Sequence, residues 1–365
     1  MKSYLKKIYF KIVKLIFDSI YGKLIFLNKN DFHLDAVKIK NITLNNKSKK
    51  TYLVYIVKNC RIYSDLSENV AVIHENRILD DISIQLSKNK LLNVSNNAII
   101  KTGTRKLIQK NVKGKILSLV QGVSAINNYG HWMLDIIPKL IISKKYESID
   151  SYDGVYVPNI KKRFQKEIIK HFDISPEKII DGSEIRHIKA NKIVIPKHPY
   201  WELHKHQLET VAKIDQDMIY EIRNFFLKDK KYSIIENDKI FIDRSDSLFN
   251  HNQIQNYKEI TEILEKFNFK RIQLSNLSFY EQINLFNNAK EIVGAHGAGL
   301  TNIIFCKPGT KIIEFNTPSF RCNLFKNISK INNLYYNSIL SDKLISNLVG
   351  DINIAKEKLI NLLKI

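Results

Sequence analysis

Three groups of residues combine side-chain chemistry with informative spacing. The first is Gly294-Ala-His-Gly-Ala-Gly-Leu-Thr-Asn302, which follows an apolar strand pattern and precedes a helical one. Open α/β sheets bind ligands at such strand-to-helix junctions. Gly294, Gly297 and Gly299 withdraw side chains, so a phosphate or ribose can approach the backbone. Beyond them the helix start offers N–H groups to an anion. His296 is placed to donate to a diphosphate, Ala298 lies between two glycines, and Thr301 or Asn302 suits the helix cap. The spacing is neither Gly-x-Gly-x-x-Gly nor a Walker loop, which disfavours nicotinamide enzymes and P-loop ATPases. A tight turn that needs glycine only for its backbone geometry explains the same residues without a ligand.

Arg244 ends the strand pattern Lys239-Ile-Phe-Ile-Asp243, and Glu314 ends the one after the glycine loop. A guanidinium at a strand end can grip a diphosphate through paired charge-assisted bonds. A carboxylate there can take the two ribose hydroxyls, or simply be solvated. The second group is Gly130-His-Trp-Met-Leu-Asp135. On a helix His131 and Asp135 share one face. Either His131 is a general base oriented by Asp135, or both are structural. No third ligand lies near for a metal, and no metal is expected. The third group, His198, Trp201, His204 and His206, lies near a domain junction with Trp132 as a further candidate cleft residue. Trp201 can stack on a sugar ring or plug an interface.

The elements that must position these residues can be read from the chain's periodicity. A chain of 365 residues exceeds one ordinary core, so two domains are expected. Residues 1–27 carry Leu5, Ile8, Ile12, Leu15, Ile16 and Ile20 at helical steps, with lysines interleaved. This basic amphipathic helix suits either peripheral contact with an anionic membrane or docking on the protein itself. Residues 28–215 form an N-terminal domain of strands with a βαβ rhythm at its end, and a long polar helix is expected from about 206 to 227. Residues 216–350 alternate strand and helix, the pattern of a parallel sheet. Residues 351–365 form a last helix that can pack back on the N-terminal domain. The net charge of +22 is spread evenly, without the basic face interleaved with aromatics that nucleic-acid binding requires, so no nucleic acid is expected. Three scattered cysteines point to a reducing cytoplasm. No stretch approaches the roughly 20 apolar residues of a membrane span.

The run Ile240-Phe-Ile-Asp-Arg244, Leu277-Ser-Phe-Tyr-Glu-Gln-Ile283, Ile292 to Phe305 and Ile312-Ile-Glu-Phe315 resembles glycosyltransferase family 61. So does the Gly-His-Trp…Asp…Pro pattern at Gly130–Pro138. The resemblance implies a GT-B type fold, two Rossmann-like domains facing a central cleft. It also implies an inverting transfer without an obligatory metal or cofactor, from a nucleotide-sugar donor, first of all a UDP-sugar. The acceptor would be a glycan or lipid-linked glycan of capsular polysaccharide, lipopolysaccharide or similar type, handled at the inner face of a bacterial cytoplasmic membrane. Arg244, His296, Gly297, Ala298, Gly299, Thr301, Asn302 and Glu314 would bind the donor. His131 and Asp135 would be catalytic, with Trp132, Trp201 and His198 on the acceptor side. Two departures stand out: Leu248-Phe-Asn-His-Asn252 lacks a second Arg that members often carry, and Ser275-Asn276 stands where many have an acid. The alternative is a catalytically inert relative serving a polysaccharide assembly complex.

Overall fold

The computed structural model describes residues 2–27, 35–45, 50–64, 69–87, 90–92, 94–103, 108–120, 127–202, 205, 207–228, 238–245, 252–318, 322–341 and 352–364. The chain divides into two compact units, residues 1–211 and 212–365.

The first unit opens with a helix, Lys2–Tyr21, and is built on a mixed sheet. One half is antiparallel: Tyr52–Ser64 pairs with Val37–Ile42, Asn69–His74 and His187–Pro196. The other half is parallel, running from His187–Pro196 through Lys110–Ser118 and Gly154–Val157 to Ile179–Asp181. The N-terminal domain is therefore not the uniformly Rossmann-like unit expected. The physical reason lies in the connections. Asn69–His74 and Arg77–Leu79 are joined by Glu75 and Asn76 alone, with Glu75 at φ +53°. So short a turn permits only an antiparallel return, whereas parallel strands need a crossover. The helices Ile137–Tyr146 and Arg163–His171 supply such crossovers in the other half.

The second unit is a wholly parallel five-stranded sheet. Its spatial order is Lys270–Gln273, Lys239–Asp243, Glu291–Ala295, Lys311–Asn316, Tyr335–Leu340. The three inner strands, Lys239–Asp243, Glu291–Ala295 and Lys311–Asn316, are mostly apolar and buried, as cover on both faces demands. In chain order the sheet runs 2-1-3-4-5, so the winding reverses between Lys239–Asp243 and Glu291–Ala295. Ligands of open α/β sheets bind outside the carboxyl ends of the strands at this switch point. Arg244 and His296 both sit there.

Two element expectations need correction. The single long helix expected from about 206 to 227 is two, Gln207–Val211 and Gln216–Leu227. Asp215 restarts the second by accepting a hydrogen bond from the Met218 N–H at 2.9 Å. The C-terminal helix, Lys356–Leu363, packs within the second unit. Leu359 and Leu363 are buried in the core of the second unit with Phe241, Ile260 and Leu264. Its apolar stripe matches that of the helix Tyr257–Lys266, and fully burying a leucine is worth about 1.5–3 kcal/mol.

Candidate active site

In the first unit the chain enters its site through Asn128, whose side chain accepts from the His131 N–H at 3.2 Å and so starts the helical turn Tyr129–His131. A wider π-helical turn, Trp132–Ile136, follows before the regular helix Ile137–Tyr146. Such turns re-aim side chains and occur frequently at functional sites. Pro138 falls in the first turn of the regular helix, where a missing N–H costs little.

Asp135, 1% exposed, holds two imidazoles. His131 Nδ1 lies 2.8 Å from one carboxylate oxygen, and His198 Nε2 lies 3.0 Å from the other. Burial alone pushes the Asp135 carboxyl up, but the two histidines outweigh it and hold the group well below the usual carboxylate range. An ionised carboxylate only accepts, so both ring nitrogens facing it carry hydrogen. In His131 the lone pair therefore lies on Nε2, the nitrogen that can take a proton. His131 is the more accessible member, its side chain 28% accessible. His198 is buried and its imidazole is pushed down to about 4, chiefly by desolvation. It stacks on Trp201 at 4.0 Å and meets Tyr200 edge-on at 4.9 Å. The Tyr200 hydroxyl in turn donates to the Leu134 carbonyl, tying this strand exit to the π turn.

Two expectations about aromatics change here. Trp132 is fully buried, edge-on to Phe164 at 6.1 Å, and is core. Trp201 lends one ring face to His198 and packs beside Ile84 and Leu91. His204 and His206 lie outside the described residues. Lys139 extends the four-residue series of 131 and 135 by one more turn, a spacing that by itself says nothing of its burial. It is fully buried, donates to the Leu119 carbonyl at 3.0 Å, and is pushed down to about 7 by burial against the opposing pull of Asp135.

In the second unit the Arg244 guanidinium donates through Nη1 to the His296 carbonyl, and Asn252 Nδ2 donates to the same oxygen at 3.0 Å. The loop is pinned from below by the His296 N–H, which donates to the Phe315 carbonyl at 2.8 Å. His296 Nδ1 pairs with Glu314 Oε1, and the Tyr336 hydroxyl donates to Glu314 Oε2. Burial, then the Glu314 charge, raises the Tyr336 phenol far above its ordinary range, so it stays a donor. Glu314 is thus completely buried with both oxygens engaged. It does not sit at an open strand end to take ribose hydroxyls; it sets the His296 ring. Tyr336 gives no local sequence signal, because only strand pairing brings it beside Glu314.

The glycines also play a different part from the one expected. None of Gly294, Gly297 or Gly299 has the left-handed backbone that favours glycine. A Cβ at Gly297 would collide with the Arg244 guanidinium, one at Gly299 would meet Leu274 at 2.7 Å, and one at Gly294 would crowd Ile242 at 3.2 Å. The missing side chains clear space for Arg244 and for the sheet. The following helix, Ala298–Phe305, is a 3-10 helix with no side-chain cap. Thr301 and Asn302 are buried, and Asn302 donates to Gln282 and to the Gly299 carbonyl, both at 3.1 Å. Asn302 thus braces the loop, and neither side chain caps the helix. Ala298 is half-buried.

A cavity of about 140 Å³ opens at the strand ends, lined by Arg244, Ser245, Asn252, Gln253, Tyr257 and Ala295 among others. Its volume suits only part of a small molecule, since pockets for whole ones run to about 300–1,000 Å³. Ser245 is fixed by Asp243, to which it donates from both N–H and Oγ at 2.9 Å. The segment 246–251, where a second Arg was sought, lies outside the described residues. Among the described residues no group of three His, Cys, Asp or Glu is arranged to hold a metal ion.

A wholly parallel unit with Arg244 and a glycine loop at its switch point defines an α/β protein of Rossmann-like type. More narrowly, the chain belongs to the glycosyltransferase 61 family, whose profile matches residues 129–313, about half its length. The match begins at the turn that carries His131 and ends one residue before Glu314. The chain is similar to the β-1,2-xylosyltransferase RCN11 of Oryza sativa subsp. japonica, with 30% identity over 95 residues, which is 24% of this chain and 18% of that protein. It is also similar to a β-1,2-xylosyltransferase of Arabidopsis thaliana, with 36% identity over 66 residues, 18% of this chain and 12% of the relative. The matched stretches thus cover under a fifth of either relative.

Proposed function

We propose that the chain is an inverting glycosyltransferase of GT-B type, moving a sugar from a nucleotide-sugar, a UDP-sugar first of all, to a hydroxyl of a glycan or lipid-linked glycan. The observation that carries the reading is the buried Asp135 carboxylate, clamped between His198 and the more accessible His131. In an inverting transfer the acceptor oxygen attacks the anomeric carbon as the bond to the diphosphate breaks. The acceptor proton passes to a base, and the nucleoside diphosphate leaves with the negative charge. His131 Nε2 takes the proton, and Asp135 holds the tautomer and stabilises the imidazolium. A positioned base of this kind contributes about 10²–10⁴-fold. Arg244, held by the His296 carbonyl across Gly297, receives the developing charge on the diphosphate, a charge-assisted bond worth about 1.5–3 kcal/mol. The names of the plant relatives support sugar transfer as the class without fixing the sugar. The acceptor we favour is a bacterial cell-surface polysaccharide assembled in the cytoplasm, where nucleotide-sugars are made.

The test is a thermal-shift panel of UDP, GDP, CMP and their sugars, with and without a divalent metal. One nucleotide class should raise the melting temperature, and Arg244→Ala should abolish the rise while the protein stays folded. Silence across the panel, or an Arg244→Ala protein that responds like the parent, sinks the donor assignment.

A further inference from the structure

The helix Lys2–Tyr21 has two unlike faces. Val13 and Phe17 point into the first unit, where Phe17 is fully buried and its Cβ lies so near Gly103 that a Cβ there would come within 2.8 Å. The adjoining face presents Leu5, Ile8, Ile12, Leu15, Ile16 and Ile20, each 38–70% exposed. At 3.6 residues per turn these six fall within an arc of about 140°. Exposed Lys7 and Lys11 border the arc on one side and Lys6 on the other. The helix carries Lys2, Lys6, Lys7, Lys11 and Lys14 against a single acid, Asp18, which Lys14 already pairs. The apolar surface continues into Ile25 and Phe26, both about half exposed. An apolar arc edged by cations matches the interfacial layer of an anionic membrane.

At the carboxyl end of the same helix lies a second feature, absent from the site described above. A cavity of about 830 Å³ is lined by Tyr21, Asn59, Arg61, Asn76, Gln109 and Lys189, with Glu75 as its one acid. Arg61 is only 5% exposed, its guanidinium 4.4 Å over the Tyr21 ring. Nη2 donates to the Glu75 carbonyl at 3.0 Å, while Nη1 is buried with no hydrogen-bond partner among the described residues. Buried guanidinium donors are normally satisfied, and a phosphate oxygen is the acceptor that arginine geometry suits best. The exposed ammonium of Lys189 and three side-chain amides complete a wall that favours an anion larger than an isolated ion.

We infer that this cavity receives the phosphate headgroup of an anionic membrane lipid while the outer face of the helix lies in the interfacial layer of the same leaflet. The helix then holds the protein on the bilayer and the headgroup contact selects the lipid. This inference is independent of the catalytic reading.

The experiment is co-sedimentation of the full chain with vesicles of phosphatidylcholine, with and without one-third phosphatidylglycerol. Anionic vesicles should bind at least about tenfold more tightly, as a few lysines near the surface require. An Ile12→Asp, Leu15→Asp double variant should lose binding to both vesicle types with an unchanged melting curve. Arg61→Gln and Lys189→Gln should each cut the anionic preference several-fold, the helix lysines keeping the remainder, and leave phosphatidylcholine binding unchanged. Should Arg61→Gln not fold, exposed Lys189→Gln decides. Equal binding to both vesicles by the parent overturns the inference. So does a concentration-dependent dimer that the double variant abolishes, which would make a second copy the occupant. An equal thermal stabilisation by inorganic phosphate or soluble glycerol phosphate, with no vesicle binding, would replace the lipid by a free phosphate ligand and overturn it too.

Discussion

Both units bury a carboxylate to fix a histidine, and they do so with opposite geometry. In the first, Asp135 is four residues from His131 and reaches a second histidine, His198, across the fold. The imidazole it orients is the accessible member of the cluster. In the second, Glu314 is eighteen residues from His296, on the neighbouring strand, and its other oxygen is taken by Tyr336. There the imidazole is itself largely buried, tilted against Phe325 at 5.0 Å. On the proposed function the first arrangement offers the accessible imidazole for proton transfer. The second stiffens a backbone loop whose carbonyl holds Arg244, as charge stabilisation requires. A carboxylate–histidine pair is therefore not one device. What the imidazole faces decides whether it works as a base or as a brace.

This contrast can be broken by substitution. The largest expected effect is on His131→Ala, which should lower turnover by about 10²–10⁴-fold with a melting temperature close to the parent's, because the side chain is part-exposed. Asp135→Asn should lose a comparable factor by presenting the wrong tautomer, and here the fold should also weaken. A single-turnover assay with the donor found by thermal shift reads both. If His131→Ala keeps full turnover, the first cluster is structural and the contrast collapses.

Next in size, Glu314→Gln should destabilise the second unit by about 1–3 kcal/mol, by leaving buried hydrogen-bond groups mismatched. Its effect on catalysis should appear chiefly in donor KM, checked by denaturant unfolding beside steady-state kinetics. A turnover loss as large as that of His131→Ala, with donor affinity intact, would make the second cluster catalytic in its own right. Gly297→Ala should act through Arg244, whose guanidinium occupies the space a Cβ would take. Nucleotide affinity should fall about tenfold, one lost charge-assisted bond, with a smaller change in stability.

A further effect lies in pH dependence, and its sign is fixed by burial. Folded His198 titrates near 4, against an unfolded value near 6.5, so between these values the unfolded chain holds a proton that the folded chain lacks. Stability should therefore fall as pH drops from about 6.5 to 4, by up to about 3 kcal/mol. Asp135 adds loss in the same direction below about pH 4, where the unfolded carboxyl protonates first. Lys139, near 7 when folded and about 10.4 unfolded, makes stability rise with pH across that upper window. His198→Phe should flatten the acid limb in thermal melts, and an unchanged limb would show that His198 is not buried neutral.

Much of this was legible along the chain because it depends on near neighbours. The strand–loop–helix character of 291–305 and the shared face of His131 and Asp135 follow from periodicities of two and about 3.6 residues. The capping box of Ser278 and Glu281 is equally local. The strand Tyr335–Leu340 escaped notice because Asn337 and Ser338 interrupt its apolar run and its outer edge is exposed, so no period of two survives. The mixed sheet of the first unit was hidden for a related reason. Parallel and antiparallel strands share one side-chain alternation, and only the connections tell them apart.

Sequence alone determined which residues could do chemistry, the alternation that makes the second unit a parallel sheet, and the resemblance that the family profile bears out. Only the tertiary structure decided what each candidate touches. It made Glu314 a brace, enclosed Trp132, gave the space at Gly297 to Arg244, brought His198 sixty-three residues back to Asp135, and buried Lys139 beside them. The division has a physical cause. Local spacing fixes which face of an element a side chain leaves from, but protonation, exposure and partnership depend on the groups that strand pairing and packing bring to it from elsewhere in the chain.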